Sequence, residues 1–169
     1  MAVIELYLIR HAIAAERGPA YPDDRLRPLT RDGIARFRTA VRGLNALDVV
    51  LDLVLTSPYA RARQTADLLV EGLARRPSLE ELPALAPGAR AADVVEAVAR
   101  QARRRHRRIA LVGHEPDLGE LAARLLSATG AVEFKKGGAC RIDVQSAMPG
   151  GPGVLRWHLP PRVLRRLAR

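Results

Sequence analysis

Three short segments of this chain place arginine and histidine where an anion could be held. Arg10-His11 closes one apolar run, Ser57-Pro58-Tyr59-Ala60-Arg61 follows a second, and Gly113-His114 closes a third. Ser57 can cap a helix, with Pro58 at the first helical position, where its missing N–H does no harm. Arg61 would then stand in the first turn, against the positive end of the helix dipole, at a cost of roughly a few tenths of a kcal/mol or more. That placement makes sense if an anion sits between the guanidinium and the helix N-terminus, with both donating to one phosphate-like group. The alternative is an Arg61 that points to solvent. Arg63, two residues on, leaves open whether it shares in the binding.

The chain has four histidines, at positions 11, 106, 114 and 158. His106 falls in the basic run 103–108 and reads as a solvated helix-end residue, where cations suit the negative dipole end. His158 falls in an expected edge strand and reads as structural. His11 and His114 differ, because each terminates an apolar strand beside a small residue, Ala12 or Gly113. One such histidine would be read as a satisfied core imidazole. Two at matching strand ends beside arginines read as functional.

The elements that must position these residues alternate. Residues 3–9 and 53–55 read as buried strands, as does 109–112, with a short strand near Leu79. Residues 16–28 are polar and read as a loop. Thr30 can cap a helix carrying Ile34, Phe37, Val41, Leu44 and Leu47 at helical spacing. Further helices are expected from Pro58 to about Arg75, with Ala62, Thr65, Ala66, Leu69 and Leu73 on one face, and from Ala91 to about Arg105, with Val94, Val95 and Val98 inward. Another runs from Pro116 to about Leu126. Two β-segments follow, 139–144 and 154–159, around a Gly/Pro-rich turn at 149–153, and beyond Pro161 lies a basic tail with a helical turn or two. This pattern predicts an α/β fold: a three-layer α/β/α sandwich with a mostly parallel central sheet and antiparallel edge strands, in one domain over residues 1–169. In an open parallel sheet the ligand crevice lies at the carboxyl ends of the strands, where Arg10-His11, Ser57–Arg61 and Gly113-His114 would meet.

Composition narrows the classes. The 169 residues are 48% hydrophobic but only 4% aromatic, with no membrane-length apolar run and no signal-peptide layout. One cysteine, Cys140, excludes a disulfide framework and zinc-ligand spacing, and reads as a small buried residue. Trp157 reads as edge-strand packing. A cytoplasmic protein is expected, with no membrane partner. The net charge of +10 comes from 28 basic against 18 acidic side chains, and Lys135 and Lys136 are the only lysines. It reads as an arginine-rich compositional bias, with a polyanionic partner as the alternative.

Taken together these segments resemble the histidine phosphatase superfamily (phosphoglycerate mutase-like fold), and within it the SixA-type phosphohistidine phosphatase branch. The Arg-His pair is usually followed by Gly; here Ala12 stands there. Arg27-Pro28-Leu29-Thr30 with Gly33 looks like the branch's entry to its first helix. Ser57-Pro58-Tyr59-Ala60-Arg61 with Gln64-Thr65-Ala66 looks like its second-arginine motif. Leu111-Val112-Gly113-His114-Glu115-Pro116 looks like its second-histidine motif, and Phe134-Lys135-Lys136-Gly137-Gly138 like its late hairpin. The likeness covers about residues 3–144, in order.

The resemblance implies that His11 is the nucleophile and becomes a phosphohistidine, with Arg10, Arg61 and His114 around the phosphoryl oxygens. Arg27 would reach the phosphate or a neighbouring charge. The arginines supply the positive charge, so no metal or other cofactor is called for. They should also lower the pKa of His11 in the free enzyme. Relatives that cleave alkyl phosphates keep a carboxylic acid, which would fall here at Ala84; Glu80 and Glu81 are possible substitutes. Without an acid, phosphohistidine, acyl phosphates and phosphoanhydrides are the favoured substrates. The implied partner is a phosphorylated protein or a polyanionic phosphate such as polyphosphate, acted on by a monomer with an open pocket. A non-catalytic RNA- or polyanion-binding module is the rival, supported by residues 103–108 and 162–169. Few aromatics and no nucleic-acid motif stand against it, and no specific nucleic acid is expected.

Overall fold

Strands buried on both faces need near-continuous apolar sequence, and the apolar runs form them. In the computed structural model, which describes residues 2–146 and 149–168, the strands are β1 (Val3–Arg10), β2 (Leu53–Thr56), β3 (Ser78–Glu81), β4 (Arg108–Gly113), β5 (Ala139–Gln145) and β6 (Val154–Leu159). The helices are α1 (Arg31–Ala46), α2 (Ala60–Gly72), α3 (Ala91–Arg103), α4 (Asp117–Leu126) and α5 (Pro161–Leu167). One sheet holds all six strands in the order β3-β2-β4-β1-β5-β6. β1, β2, β3 and β4 run parallel, while β5 and β6 add antiparallel at one edge, as the sequence predicts.

The period of two along each strand sorts the core into two layers. Tyr7, Ile9, Val54, Ala110 and Val112 pack against α1, α2 and Leu164 of α5. Leu6, Leu8, Leu53, Leu55, Ile109 and Leu111 face α3 and α4 instead. Val94 and Val98 are buried, while Val95 packs half-exposed at the margin. Thr30 caps α1 as expected, its hydroxyl accepting from the Gly33 N–H at 2.9 Å. Gly33 itself has a packing reason: a Cβ there would run into the carbonyl of Ile13.

Several expected details are corrected. α2 begins at Ala60 with Tyr59 as its cap, so Ser57 does not cap it and Pro58 precedes the first turn. The Ser57 hydroxyl is committed elsewhere, to His114. α2 also stops at Gly72, ahead of Arg75. The 16–28 segment is not plain loop, because it carries a 3-10 turn, Asp24–Leu26, and lies beside a bridge between Ala14 and Leu29. His106 is half-buried rather than solvated, with Nδ1 3.0 Å from Gln101 Oε1. The basic run it belongs to turns α3 into β4, where Arg108 pairs with Asp52 at 2.7 Å. Arg169, the end of the basic tail, lies outside the described residues. No helix among the described residues is long and apolar enough to cross a membrane.

Candidate active site

Strand order brings the three motifs together. β4 lies between β1 and β2, with Arg10 opposite Gly113 and Thr56 opposite Val112. Past the strand ends, the His11 N–H donates to the Gly113 carbonyl and the Ser57 N–H to the Val112 carbonyl, both at 3.0 Å. His114 therefore emerges between His11 and Ser57. The two imidazole centroids are 5.1 Å apart, and Tyr59 stands edge-on to His114 at 5.4 Å. The Arg61 guanidinium lies over the Tyr59 ring, 5.1 Å from its centroid.

Both histidines are buried, His11 5% and His114 3% exposed. Nδ1 of His11 is 2.7 Å from the Ala12 carbonyl oxygen. A carbonyl only accepts, so Nδ1 carries the ring proton and Nε2 keeps its lone pair. Burial pushes the His11 pKa down to about 4; the Ala12 carbonyl opposes this, and Arg61, Arg10 and Arg27 add to it. The direction agrees with the sequence expectation, but desolvation rather than the arginines is the first cause. His114 is pushed down to about 3, again by burial first and then by His11 and Arg61. Its Nε2 is 2.8 Å from Ser57 Oγ, and the Tyr59 N–H donates to the same Oγ at 3.2 Å.

The arginines are anchored by their outer nitrogens. Arg10 donates from one terminal nitrogen to the Phe134 carbonyl at 2.7 Å. Arg61, 2% exposed and so not turned to solvent, donates to the Asp24 carbonyl at 2.8 Å and to the Asp24 carboxylate at 3.0 Å. What remains is unusual: Nε of Arg10, Nε of Arg61 and Nδ1 of His114 are buried with no hydrogen-bond partner among the described residues. Buried polar groups are nearly always paired, so such orphans call for a missing partner. Arg27, itself buried, joins the cluster, its Nε holding the Asp24 carboxylate at 2.9 Å and one terminal nitrogen the Ala15 carbonyl at 2.7 Å. Arg63 is turned away, paired with Asp67 and Glu81.

Sequence reading missed the residues that hold these groups in place. Asp24 bridges Arg27 and Arg61; burial works against its ionisation, but the two guanidiniums outweigh it and hold the carboxyl below its usual range. Glu115 accepts the Phe134 N–H at 2.9 Å, fixing the carbonyl that anchors Arg10. The Thr65 hydroxyl accepts from the Ala12 N–H at 3.0 Å and donates to the Arg61 carbonyl at 2.7 Å. Gly137, at φ +80°, gives its N–H to the carbonyls of both Arg10 and His11; that φ favours glycine. Ala12 has no positive φ, so its replacement of the usual Gly carries no backbone strain. The only signal in sequence was that Glu115, Thr65 and Gly137 fell inside the family motifs; Asp24 had none.

The position expected for an acid holds Ala84, in a 3-10 turn, Pro83–Leu85, beside a small slot shared with His114. Neither glutamate nearby replaces it. Glu80 accepts from Gln101 at 3.3 Å and sits 4.0 Å from Arg104, and Glu81 pairs with Arg63 at 3.1 Å.

Buried histidines and arginines at adjacent ends of parallel strands form a cationic site able to hold an anion. The chain belongs to the histidine phosphatase superfamily (branch 1), whose family description matches residues 6–87, and it groups with the SixA-like members. It is a phosphatase. A protein of Picosynechococcus sp., itself uncharacterized, is 38% identical over 119 residues, covering 70% of this chain and 71% of the relative. Phosphohistidine phosphatase SixA of Escherichia coli is 25% identical over 158 residues, 94% of each chain. A solved structure of the protein histidine phosphatase SixA complexed with tungstate superposes with a TM-score of 0.85 at 25% identity, over 95% of this chain and 99% of the other. Phosphoglycerate mutase from Bacillus anthracis shares the fold at a TM-score of 0.71 and 14% identity, over 99% and 98% of the two chains.

Proposed function

We propose that the protein is a phosphohistidine phosphatase of phosphorylated proteins, working through a phosphohistidine on its own His11. The observation that carries the reading is the set of three buried, unpartnered nitrogens, Nε of Arg10, Nε of Arg61 and Nδ1 of His114, beside a histidine whose free nitrogen is Nε2. A phosphoryl group supplies three oxygens to accept from them. SixA of Escherichia coli is named for phosphohistidine, and the SixA structure holds tungstate, an oxyanion.

Nε2 of His11 attacks phosphorus in line, forming the N–P bond as the bond to the leaving group breaks and its electron pair departs with that group. Positive charge builds on the imidazole, and the Ala12 carbonyl on Nδ1–H stabilises it. Arg10 and Arg61, through Nε, and His114 hold the phosphoryl oxygens and offset the transition-state charge. For His114 to donate, its proton must sit on Nδ1. The Ser57 hydroxyl allows this, accepting from Tyr59 and giving its own hydrogen to Nε2. Water then cleaves the N–P bond, releasing inorganic phosphate and neutral His11. Arg27 supports the site through Asp24. With Ala84 in the acid's position, a leaving group needing little proton assistance is favoured, and phosphohistidine is one.

The test compares the parent with His11→Ala on para-nitrophenyl phosphate and on a phosphohistidine-bearing protein in chelator-containing buffer. The parent should turn over both, form an acid-labile phosphoenzyme, and lose all three properties on substitution. Turnover surviving in His11→Ala would refute the nucleophile. Hydrolysis of para-nitrophenyl phosphate without any of the phosphoprotein would refute the substrate class.

A further inference from the structure

A groove of about 340 Å³ opens on the far side of the 135–138 loop from the mouth of Arg10, between α1 and α5. Its accessible apolar lining comes from Ile13, Pro160 and Pro161, over the buried Phe37 and Ala40. Arg36, Lys135, Lys136, Arg162 and Arg165 also line it, with no carboxylate in the lining among the described residues. Arg36 is paired with Asp32 at 2.8 Å, but the other four make no ion pair among the described residues. Cations without an acidic partner among the described residues occur elsewhere on the surface, Arg31, Arg38 and Arg75 among them; what sets the groove apart is that five cations, both lysines of the chain included, line one concavity.

The groove adjoins the phosphate site. Ala12, the residue bonded to His11, forms part of its wall, and Gly137 in the same wall donates to the carbonyls of Arg10 and His11. Lys135 lines both this groove and the opening that contains Arg10. A ligand lying in the groove would therefore run beside Ala12 and Lys135, next to the chain segments that carry the phosphate site.

We infer that this groove is a docking site for the protein substrate: it takes an acidic segment that also carries apolar side chains, next to the phosphorylated residue. Charge complementarity selects the acid, because a concave surface lined by one sign of charge focuses the field on an oppositely charged partner. The apolar lining selects a polypeptide over a bare polyphosphate chain, which has no apolar surface to cover Ile13, Pro160 and Pro161. The inference rests on the reading of the site as a phosphoprotein phosphatase and adds which proteins it accepts.

Two phosphohistidine peptides decide it, one flanked by Glu and Leu, the other with each Glu replaced by Gln. They are compared on the parent, on Lys136→Glu, and on Arg162→Glu combined with Arg165→Glu. The parent should prefer the acidic peptide at least ten-fold in kcat/KM, through KM, and lose the preference at high salt. The variants should lose it too, with para-nitrophenyl phosphate turnover kept within two-fold. No preference in the parent, or a parallel loss on para-nitrophenyl phosphate, overturns the inference. If the parent cleaves neither phosphopeptide, the functional reading fails, and the groove is then judged by anisotropy with the labelled, unphosphorylated Glu/Leu peptide. Binding lost in the charge-reversed variants upholds the groove, and absent binding overturns it. Polyphosphate binding there more tightly than the peptide also overturns it.

Discussion

Nδ1 of His11 lies 2.7 Å from the carbonyl oxygen of Ala12, and that contact decides which ring nitrogen can react. The proton stays on Nδ1, Nε2 stays free, and burial with three arginines nearby keeps the ring neutral down to about pH 4. The kcat/KM profile, corrected for substrate ionisation, should fall on the acid side with an apparent pKa near 4 and show no inflection near 6.5. Ring-nitrogen NMR at pH 7 should find Nδ1 protonated in His11. An inflection at 6.5 would mean that the imidazole is not buried as described.

The same burial makes stability depend on pH. His11 and His114 have folded values of about 4 and about 3, below the ordinary 6.5. Between about 6.5 and those values the unfolded chain binds protons that the fold refuses, so stability falls as pH is lowered through that window. Above 6.5 neither ring contributes to the slope. Denaturant midpoints at pH 7, 5.5 and 4.5 should decline in that order, and less steeply in His11→Gln. A midpoint flat from pH 7 to 4.5 would contradict both shifts.

Asp24 should matter although it carries no chemistry. Its carboxylate and carbonyl occupy the outer nitrogens of Arg61, and its other oxygen holds Arg27. Removing an acceptor from a buried charged donor costs about 1–3 kcal/mol, or about 5–150-fold in an equilibrium. Asp24→Ala should therefore lower kcat/KM for para-nitrophenyl phosphate by about that factor, largely through KM. Asp24→Asn, which keeps one oxygen, should fall between. Higher activity in Asp24→Ala would show that the carboxylate competes with substrate instead of positioning the arginine.

What could be read from sequence followed from locality. Three apolar runs ending in Arg10-His11, Ser57 and Gly113-His114 mark strands with tips, and Thr30 marks a helix start, because each signal lies within a few residues. Ser57 misled for the same reason. Its local pattern is that of a helix cap, yet a histidine 57 residues away claims its hydroxyl, and the helix starts three residues later. Asp24 with Arg61, Thr65 with Ala12 and Glu115 with Phe134 are pairs of this distant kind. Each depends on how separate elements pack together, which periodicity along the chain does not encode.

Glu115 tests one such pair. Burial pushes its carboxyl up, against the Phe134 N–H and the Arg10 charge, and one oxygen accepts that N–H. Glu115→Gln keeps an acceptor and should stay within a few-fold of the parent. Glu115→Ala should lose about ten-fold or more in kcat/KM as the Phe134 carbonyl, and with it Arg10, is released. It should also be less stable by about 1–3 kcal/mol. Gln failing as badly as Ala would assign the carboxyl a charge-dependent role that the geometry does not require.

The last prediction concerns the leaving group. With Ala84 where an acid is expected, and Glu80 and Glu81 engaged by α3 and α2 side chains, neither of these glutamates is placed to protonate a departing alkoxide. General acid help is typically worth about 10²–10⁴ in rate. Across a series of aryl phosphates, log kcat/KM should fall steeply as the leaving-group pKa rises, because the departing oxygen carries its full charge. Simple alkyl phosphates should lie lower by about that 10²–10⁴. Phosphohistidine, whose leaving imidazole departs neutral when already protonated, should escape the penalty. A flat series, with an alkyl phosphate as good as an aryl one, would mean that a proton donor operates at this site after all, and Glu115, the carboxyl next to His114, would be the first to substitute in search of it.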